Sequence, residues 1–159
     1  MAEDGIEQLS TELRHFRDVE AITTLKARYC RFVDIQDWEA FGTLLTDDYR
    51  IDNGHGAVEG RDEAVAMVAH GLTGGSSVHH VYNPEIDFTG PDSATVIWPM
   101  EDWVHLTIGG ERKAFHGCGH YHEDYVRTAD GWRIAGTVIT RLRMDEIEPD
   151  PQAAELSRG

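Results

Sequence analysis

Residues 19–49 read VEAITTLKARYCRFVDIQDWEAFGTLLTDDY. Ile22, Leu25, Tyr29 and Val33 recur at helical spacing and form a stripe that must be buried. After a short break, Trp38, Phe41, Leu44 and Leu45 repeat the apolar pattern. Asp37 stands where its carboxylate can accept the free backbone N–H groups of that second helix. Asp34 ends the first helix, near Ala27 and Cys30 on the helical wheel and off the centre of the stripe. Periodicity alone therefore does not bury it. The stretch predicts a helix, a break, a second helix over Trp38–Leu45 and a strand beginning at Tyr49.

On the N-terminal side, residues 1–10 read as a weakly ordered lead-in, with helix from about Ser10 to Val33. On the C-terminal side, Tyr49–Asp52 is a short strand closed by the turn-forming run Asn53-Gly54-His55-Gly56. A third helix opens at Gly60-Arg61-Asp62-Glu63. It buries Ala64, Val65, Val68, Ala69 and Leu72, and Gly71, Gly74 and Gly75 end it. From Ser77 the pattern becomes that of strands. These are Val78–Phe88, Ala94–Ile108 with a bulge or kink at Pro99, Lys113–Thr128 and Trp132–Met144. Gly109-Gly110 makes a tight hairpin between two of them. Helices followed by a meander of strands imply an α+β domain. The expectation is one domain over residues 1–159, with a core of about 10–144. The acidic tail 145–159, with Pro149 and Pro151, is either disordered or laid over the mouth of a pocket.

The composition excludes several partners. Lys plus Arg is 14 against 29 Asp plus Glu, a net charge of −15 with neutral histidine. Such a surface repels nucleic acid and anionic membranes and disfavours a highly anionic substrate. No apolar run reaches the length of a membrane span. The acidic N-terminus lacks an apolar signal region, so a cytoplasmic location is expected. Cys30 and Cys118 are expected as free thiols. No phosphate-binding glycine loop, dinucleotide fingerprint, Cys-x-x-Cys or Gly-x-Ser-x-Gly elbow is present, so no cofactor is expected.

Tyr29, Asp34, Asp37 and Trp38, spaced Tyr-x4-Asp-x2-Asp-Trp, resemble the opening of SnoaL-like proteins of the nuclear-transport-factor-2-like superfamily. That superfamily includes scytalone dehydratase and bile-acid 7α-dehydratase. Asp130-Gly131-Trp132-Arg133-Ile134 resembles a hairpin ending common among such proteins. The resemblance covers roughly Val19 to Arg143. It implies three N-terminal helices packed into a strongly curved, mainly antiparallel sheet, a cone-shaped α+β barrel with a deep apolar pocket. It also implies that Asp34 is catalytic. Ser76, His79 and Asn83 fit the family pattern Ser-x-x-His-x3-Asn, which assigns the catalytic histidine to His79. His80 remains the alternative, because a one-residue slip exchanges the two faces of a strand. Tyr29 matches an active-site tyrosine of the bile-acid enzyme and reads equally as a core aromatic. Asn53 stands where the dehydratases carry a pocket tyrosine, and an amide cannot readily deliver a proton. His105 corresponds to a second active-site histidine of scytalone dehydratase.

Nine histidines are many for this length, and five fall in two short stretches. His116, Cys118, His120, His122 and Asp124 alternate onto one side of a strand. His120 and His122 are expected to line the pocket, with Trp98 and Trp103 shaping it or packing the core. Tyr121, Glu123, Tyr125 and Arg127 take the opposite face, either solvated or meeting another subunit. The expected state is a homodimer or homotrimer, joined through that face. His-x-His on a strand also suggests a metal, but the glycine-rich context of a cupin is absent and no metal is expected.

These readings converge on a cofactor-independent dehydratase or isomerase acting on a neutral, apolar cyclic molecule such as a polyketide, steroid or terpenoid. His79 is the base and Asp34 supports its imidazolium. Tyr29, His120 or His122 serves the developing oxyanion or leaving hydroxyl. The alternatives are a polyketide-type cyclase and a non-catalytic small-molecule-binding domain.

Overall fold

The computed structural model describes residues 2–54 and 56–150. Helix α1 runs unbroken over Ala2–Asp34. It begins earlier than the sequence suggests, because residues 2–10 hold good helix formers and only Gly5 as a breaker. Its C-terminal half carries the expected stripe, and Ile22, Leu25, Tyr29 and Val33 are all buried. Its N-terminal half leaves Ile6, Leu9, Leu13 and Phe16 exposed. Asp37 caps α2 (Trp38–Gly42), accepting the Ala40 N–H at 3.0 Å. That helix is shorter than expected, since Leu45 already belongs to strand β1 (Leu45–Asp52). Strand β2 (Ala57–Glu59) pairs back on β1, and α3 spans Arg61–Leu72. Gly71 lies inside α3; the chain turns only at Gly74, with φ of 78°.

The expected strand Val78–Phe88 is two strands, β3 (Ser76–Val81) and β4 (Glu85–Gly90). Both pair antiparallel with β5 (Ser93–Ile108), and the register slips by one residue between Val81↔Met100 and Glu85↔Ile97. Pro99 has no N–H to offer across this break, although its carbonyl accepts from Tyr82 at 2.9 Å. The irregularity foreseen at Pro99 is thus absorbed by the neighbouring chain, and β5 itself stays continuous. Strands β6 (Glu111–Thr128) and β7 (Gly131–Ile147) complete the sheet. Gly109 and Gly110, at φ 60° and 86°, form the hairpin foreseen for them.

The sheet order is β2-β1-β7-β6-β5-β3, with β4 also on β5. All pairings are antiparallel except β1 with β7. The sheet is strongly curved around the helices and open at its edges instead of closing as a barrel. None of the described helices is long and apolar enough to cross a membrane.

The concave face is settled by burial. Ala94, Val96, Trp98, Met100 and Asp102 of β5 are buried, as are Tyr121, Glu123 and Tyr125 of β6. This reverses the expectation for β6: Tyr121 and Tyr125 lie in the core, and His116, Cys118, His120 and His122 lie on the convex face. The physical reason is Lys26. Its ammonium meets the Glu123 carboxylate at 2.7 Å, both side chains fully buried. Tyr125 and Thr137 donate to Glu123 at 2.6 and 3.1 Å, and the rings of Tyr121 and Tyr29 lie 3.5 and 3.9 Å from Lys26 Nζ. With its charge paired, Glu123 can face inward. Arg127 is engaged with Asp18 and Asp92, at 2.7 and 2.9 Å. Tyr121, Tyr125 and Arg127 therefore cannot form a subunit interface. The tail expected over 145–159 lies outside the described residues after Asp150, but Asp145–Ile147 continue β7 against His116, Phe115 and Ala114.

Candidate active site

The last turn of α1 delivers Asp34 to the start of β3. Gln36 stops the helix in the left-handed region, φ 57°. Its side chain then donates to the carbonyls of Leu72 and Gly75, at 3.2 and 3.0 Å. One residue thereby ties the end of α1 to the loop that feeds β3. Asp34 receives three donors from that strand. The Ser77 hydroxyl and the His79 backbone N–H each donate at 2.9 Å, and His79 Nδ1 lies 2.6 Å from Oδ1. A carboxylate partner requires Nδ1 to carry the proton, which leaves Nε2 as the basic atom.

Nε2 faces Asp102 Oδ2 at 3.9 Å, too far for a hydrogen bond. Asp102 is only 2% exposed and is gripped by Arg141 through two parallel bonds of 2.8 and 2.7 Å. Burial works against the charge on Arg141, but the bonds and charge of Asp102 outweigh it and raise the guanidinium pKa. Four groups thus stand in a row: Asp34, His79, Asp102 and Arg141. The side chains of Asp34, His79 and Arg141 are 22%, 10% and 29% exposed, so solvent reaches the row without flooding it. The resemblance implies a deep apolar pocket here; the immediate surroundings of the pair are instead polar. A hollow of about 590 Å³ lies elsewhere, at the β3–β4 break beside Thr23, Ala27 and Tyr82.

Gly117 makes room for this row. A Cβ at that position would fall 2.5 Å from Arg141 Nη1 and 2.6 Å from Asp102 Oδ1. Gly117→Ala is expected to push the guanidinium off Asp102, at an overpacking cost of about 1–3 kcal/mol. A structure of that variant with both Arg141–Asp102 hydrogen bonds intact would contradict the role given to Gly117.

The remaining expected site residues scatter. His80 points to the convex face, 3.9 Å from Glu101, so the register that favours His79 is the one adopted. Tyr29 is buried against Phe41, Tyr121 and Lys26. Burial, and then the neighbouring Tyr49, Tyr121 and Glu123, push its hydroxyl pKa well up, so it stays protonated. Asn53 reaches Met67 of α3. Trp98 is a core residue donating to the Tyr125 hydroxyl at 3.2 Å. Trp103, His105, His120 and His122 do not share the concave face with Asp34 and His79. Trp103 stacks on His116, His122 meets Thr140 at 3.0 Å, and His105 pairs in register with Ser76 and Ala114. Period-two alternation already separates Trp98 from Trp103 and His105; what it cannot say is which set faces in.

Sequence reasoning missed Ser77, Asp102 and Arg141. Asp102 did leave a signal. It interrupts the alternating apolar series Ala94, Val96, Trp98, Met100 and Val104, and a carboxylate on a buried strand face demands a partner. That partner, Arg141, lies 39 residues away.

Residues 14–138 match the SnoaL-like domain family. A Gibberella zeae protein named as a probable cyclase is 24% identical over 131 residues, covering 74% of this chain and 86% of that one. The chain also resembles the crystal structure of a type 2 hexachlorocyclohexane dehydrochlorinase. The TM-score is 0.77 at 17% identity, covering 86% of this chain and 93% of that one. A candidate scytalone dehydratase of Novosphingobium aromaticivorans superposes with a TM-score of 0.72 at 19% identity, covering 89% and 93% of the two chains.

Proposed function

The chain belongs to the SnoaL-like domain family, and from that premise we propose a single-domain, cofactor-independent enzyme of lyase type that uses Asp34 and His79 as its base. The observation that carries this reading is the 2.6 Å contact of Asp34 with His79 Nδ1, which leaves Nε2 directed at the Asp102–Arg141 pair. Nε2 removes a proton from a carbon acidified by a neighbouring carbonyl or leaving group. Asp34 holds the tautomer and offsets the charge on the imidazolium. The Arg141 side chain is 29% exposed, and in this reading its guanidinium supports the developing oxyanion or the departing group.

The charge of the row bears on the substrate. Two carboxylates and one guanidinium leave a net negative site when His79 is neutral. An anionic substrate would find Arg141 already engaged. That charge suits a neutral molecule better, and the family resemblance points to a cyclic one of polyketide, steroid or terpenoid type. Elimination is the favoured reaction, since the similar solved structures include proteins described as a dehydrochlorinase and a scytalone dehydratase. Ring closure is the second reading, favoured by the cyclase resemblance in sequence. The test is mass analysis after incubation with neutral cyclic β-hydroxyketones. Loss of one water supports elimination, and a changed ring system supports cyclisation. Binding without any conversion across the series would leave a binding domain.

We further propose a homo-oligomer. The exposed residues Ile6, Leu9, Leu13 and Phe16 follow the three-four-three spacing of a coiled-coil seam on the free half of α1. Leu9→Glu with Leu13→Glu is expected to shift light-scattering mass to that of one chain. A wild type that is already monomeric at micromolar concentration would overturn this.

A further inference from the structure

On the convex face, opposite the row just described, Glu101, His116 and Cys118 bring one carboxylate, one imidazole and one thiol together. Their donor atoms all lie within 4.8 Å of one another. The arrangement follows from register. Glu101 and Cys118 are direct partners across β5 and β6, and His116 is the next residue on the same face of β6. His116 Nε2 is 3.2 Å from Glu101 Oε2 and 3.9 Å from Cys118 Sγ.

These separations approach the edges of a metal tetrahedron. Bonds of about 2.0–2.2 Å to nitrogen or oxygen and about 2.3 Å to sulfur place neighbouring ligands roughly 3.3–3.6 Å apart. The supporting residues also orient the donors. Trp103 stacks on the His116 ring, with centroids 4.5 Å apart and planes 11° from parallel. The Tyr82 hydroxyl donates to Glu101 Oε1, which leaves Oε2 as the free ligand atom. His80 Nδ1 lies 3.9 Å from Glu101 Oε1, on the far side of Glu101 from Cys118. Arg143 is the register partner of Cys118, but its Nε is engaged by Asp145 at 2.5 Å.

We propose that Glu101, His116 and Cys118 form a binding site for a borderline-soft divalent cation of the zinc type, with a fourth position open to water. Thiolate and imidazole together favour zinc over magnesium or calcium. The site stands apart from the proposed base chemistry, because its ligands point away from Asp34 and His79 on the other side of the sheet.

The test uses Co²⁺ as an optical probe on the full-length protein under reducing conditions. The expected result is one Co²⁺ per chain, with a thiolate-to-cobalt charge-transfer band that equimolar Zn²⁺ abolishes. Cys118→Ser should remove the band, and His116→Ala should weaken binding. Tyr82→Phe should cost about tenfold or more in affinity, as loss of a ligand-orienting partner does. His120→Ala and His122→Ala should leave the spectrum unchanged. Circular dichroism of each variant separates loss of ligand from loss of fold. A cobalt spectrum without the thiolate band, or one that survives Cys118→Ser, overturns the site. So does loss of binding on His120→Ala or His122→Ala. No binding at all would reduce the cluster to an ion pair beside a free thiol.

Discussion

His79→Ala is expected to lower turnover by about 10²–10⁴-fold, the usual share of positioned acid–base catalysis, with the fold intact. The side chain packs at the edge of the core and no buried charge is stranded by its loss, since Asp34 keeps Ser77 and the His79 backbone N–H as donors. Asp34→Asn preserves shape but removes the charge that fixes the Nδ1 tautomer and supports the imidazolium. Its effect should be large as well. The two residues act as a unit, so the double variant should be little worse than the worse single. Steady-state kinetics on any converted substrate, with thermal melts as a control for folding, read all three. Additive losses in the double variant would mean that Asp34 and His79 work separately, and the mechanism would fail.

Lys26→Met is expected to destabilise the protein by about 3–5 kcal/mol, because it strands the Glu123 carboxylate in a fully buried position. The cation over the Tyr29 and Tyr121 rings is lost at the same time. Removing both charges should restore most of the stability. Lys26→Met with Glu123→Gln leaves no uncompensated charge, and the one amide oxygen still accepts from Tyr125 or Thr137. Urea denaturation would show the single variant with a much lower midpoint and the double variant close to wild type. A midpoint unchanged by Lys26→Met would mean that water or a shift in protonation satisfies Glu123.

Both predictions concern pairs that only tertiary structure could bring together, though their members were visible to different degrees. Asp34 and His79 were legible only through the family resemblance carried by Tyr29, Asp34, Asp37 and Trp38 and by Ser76, His79 and Asn83, while alternation alone left His79 and His80 open. Their separation of 45 residues is spanned by a helix end and a strand start whose positions the pattern fixes well. Lys26 was not legible. It lies among Ile22, Leu25 and Tyr29 on α1, where a lysine reads as the solvated edge of a helix, and its partner is 97 residues away. The same blindness turned β6 over. A histidine-rich face and an aromatic face alternate in that strand, and the former looks functional while the latter looks like a surface for a partner.

By itself, the sequence determined the helical first third, the hairpins at Gly109-Gly110 and near Gly131, the free cysteines, the acidic surface and the family. Each of these rests on local period, turn chemistry or composition, which neighbouring residues settle among themselves. The tertiary structure alone decided which face of β6 turns inward, how the β3–β4 chain divides opposite Pro99, and that Asp102 and Arg141 complete the row at His79. The first and last of those outcomes depend on charges meeting across the core. Whether a buried Glu or Asp is tolerable is settled by where its partner arrives, and a linear pattern carries no record of that distance.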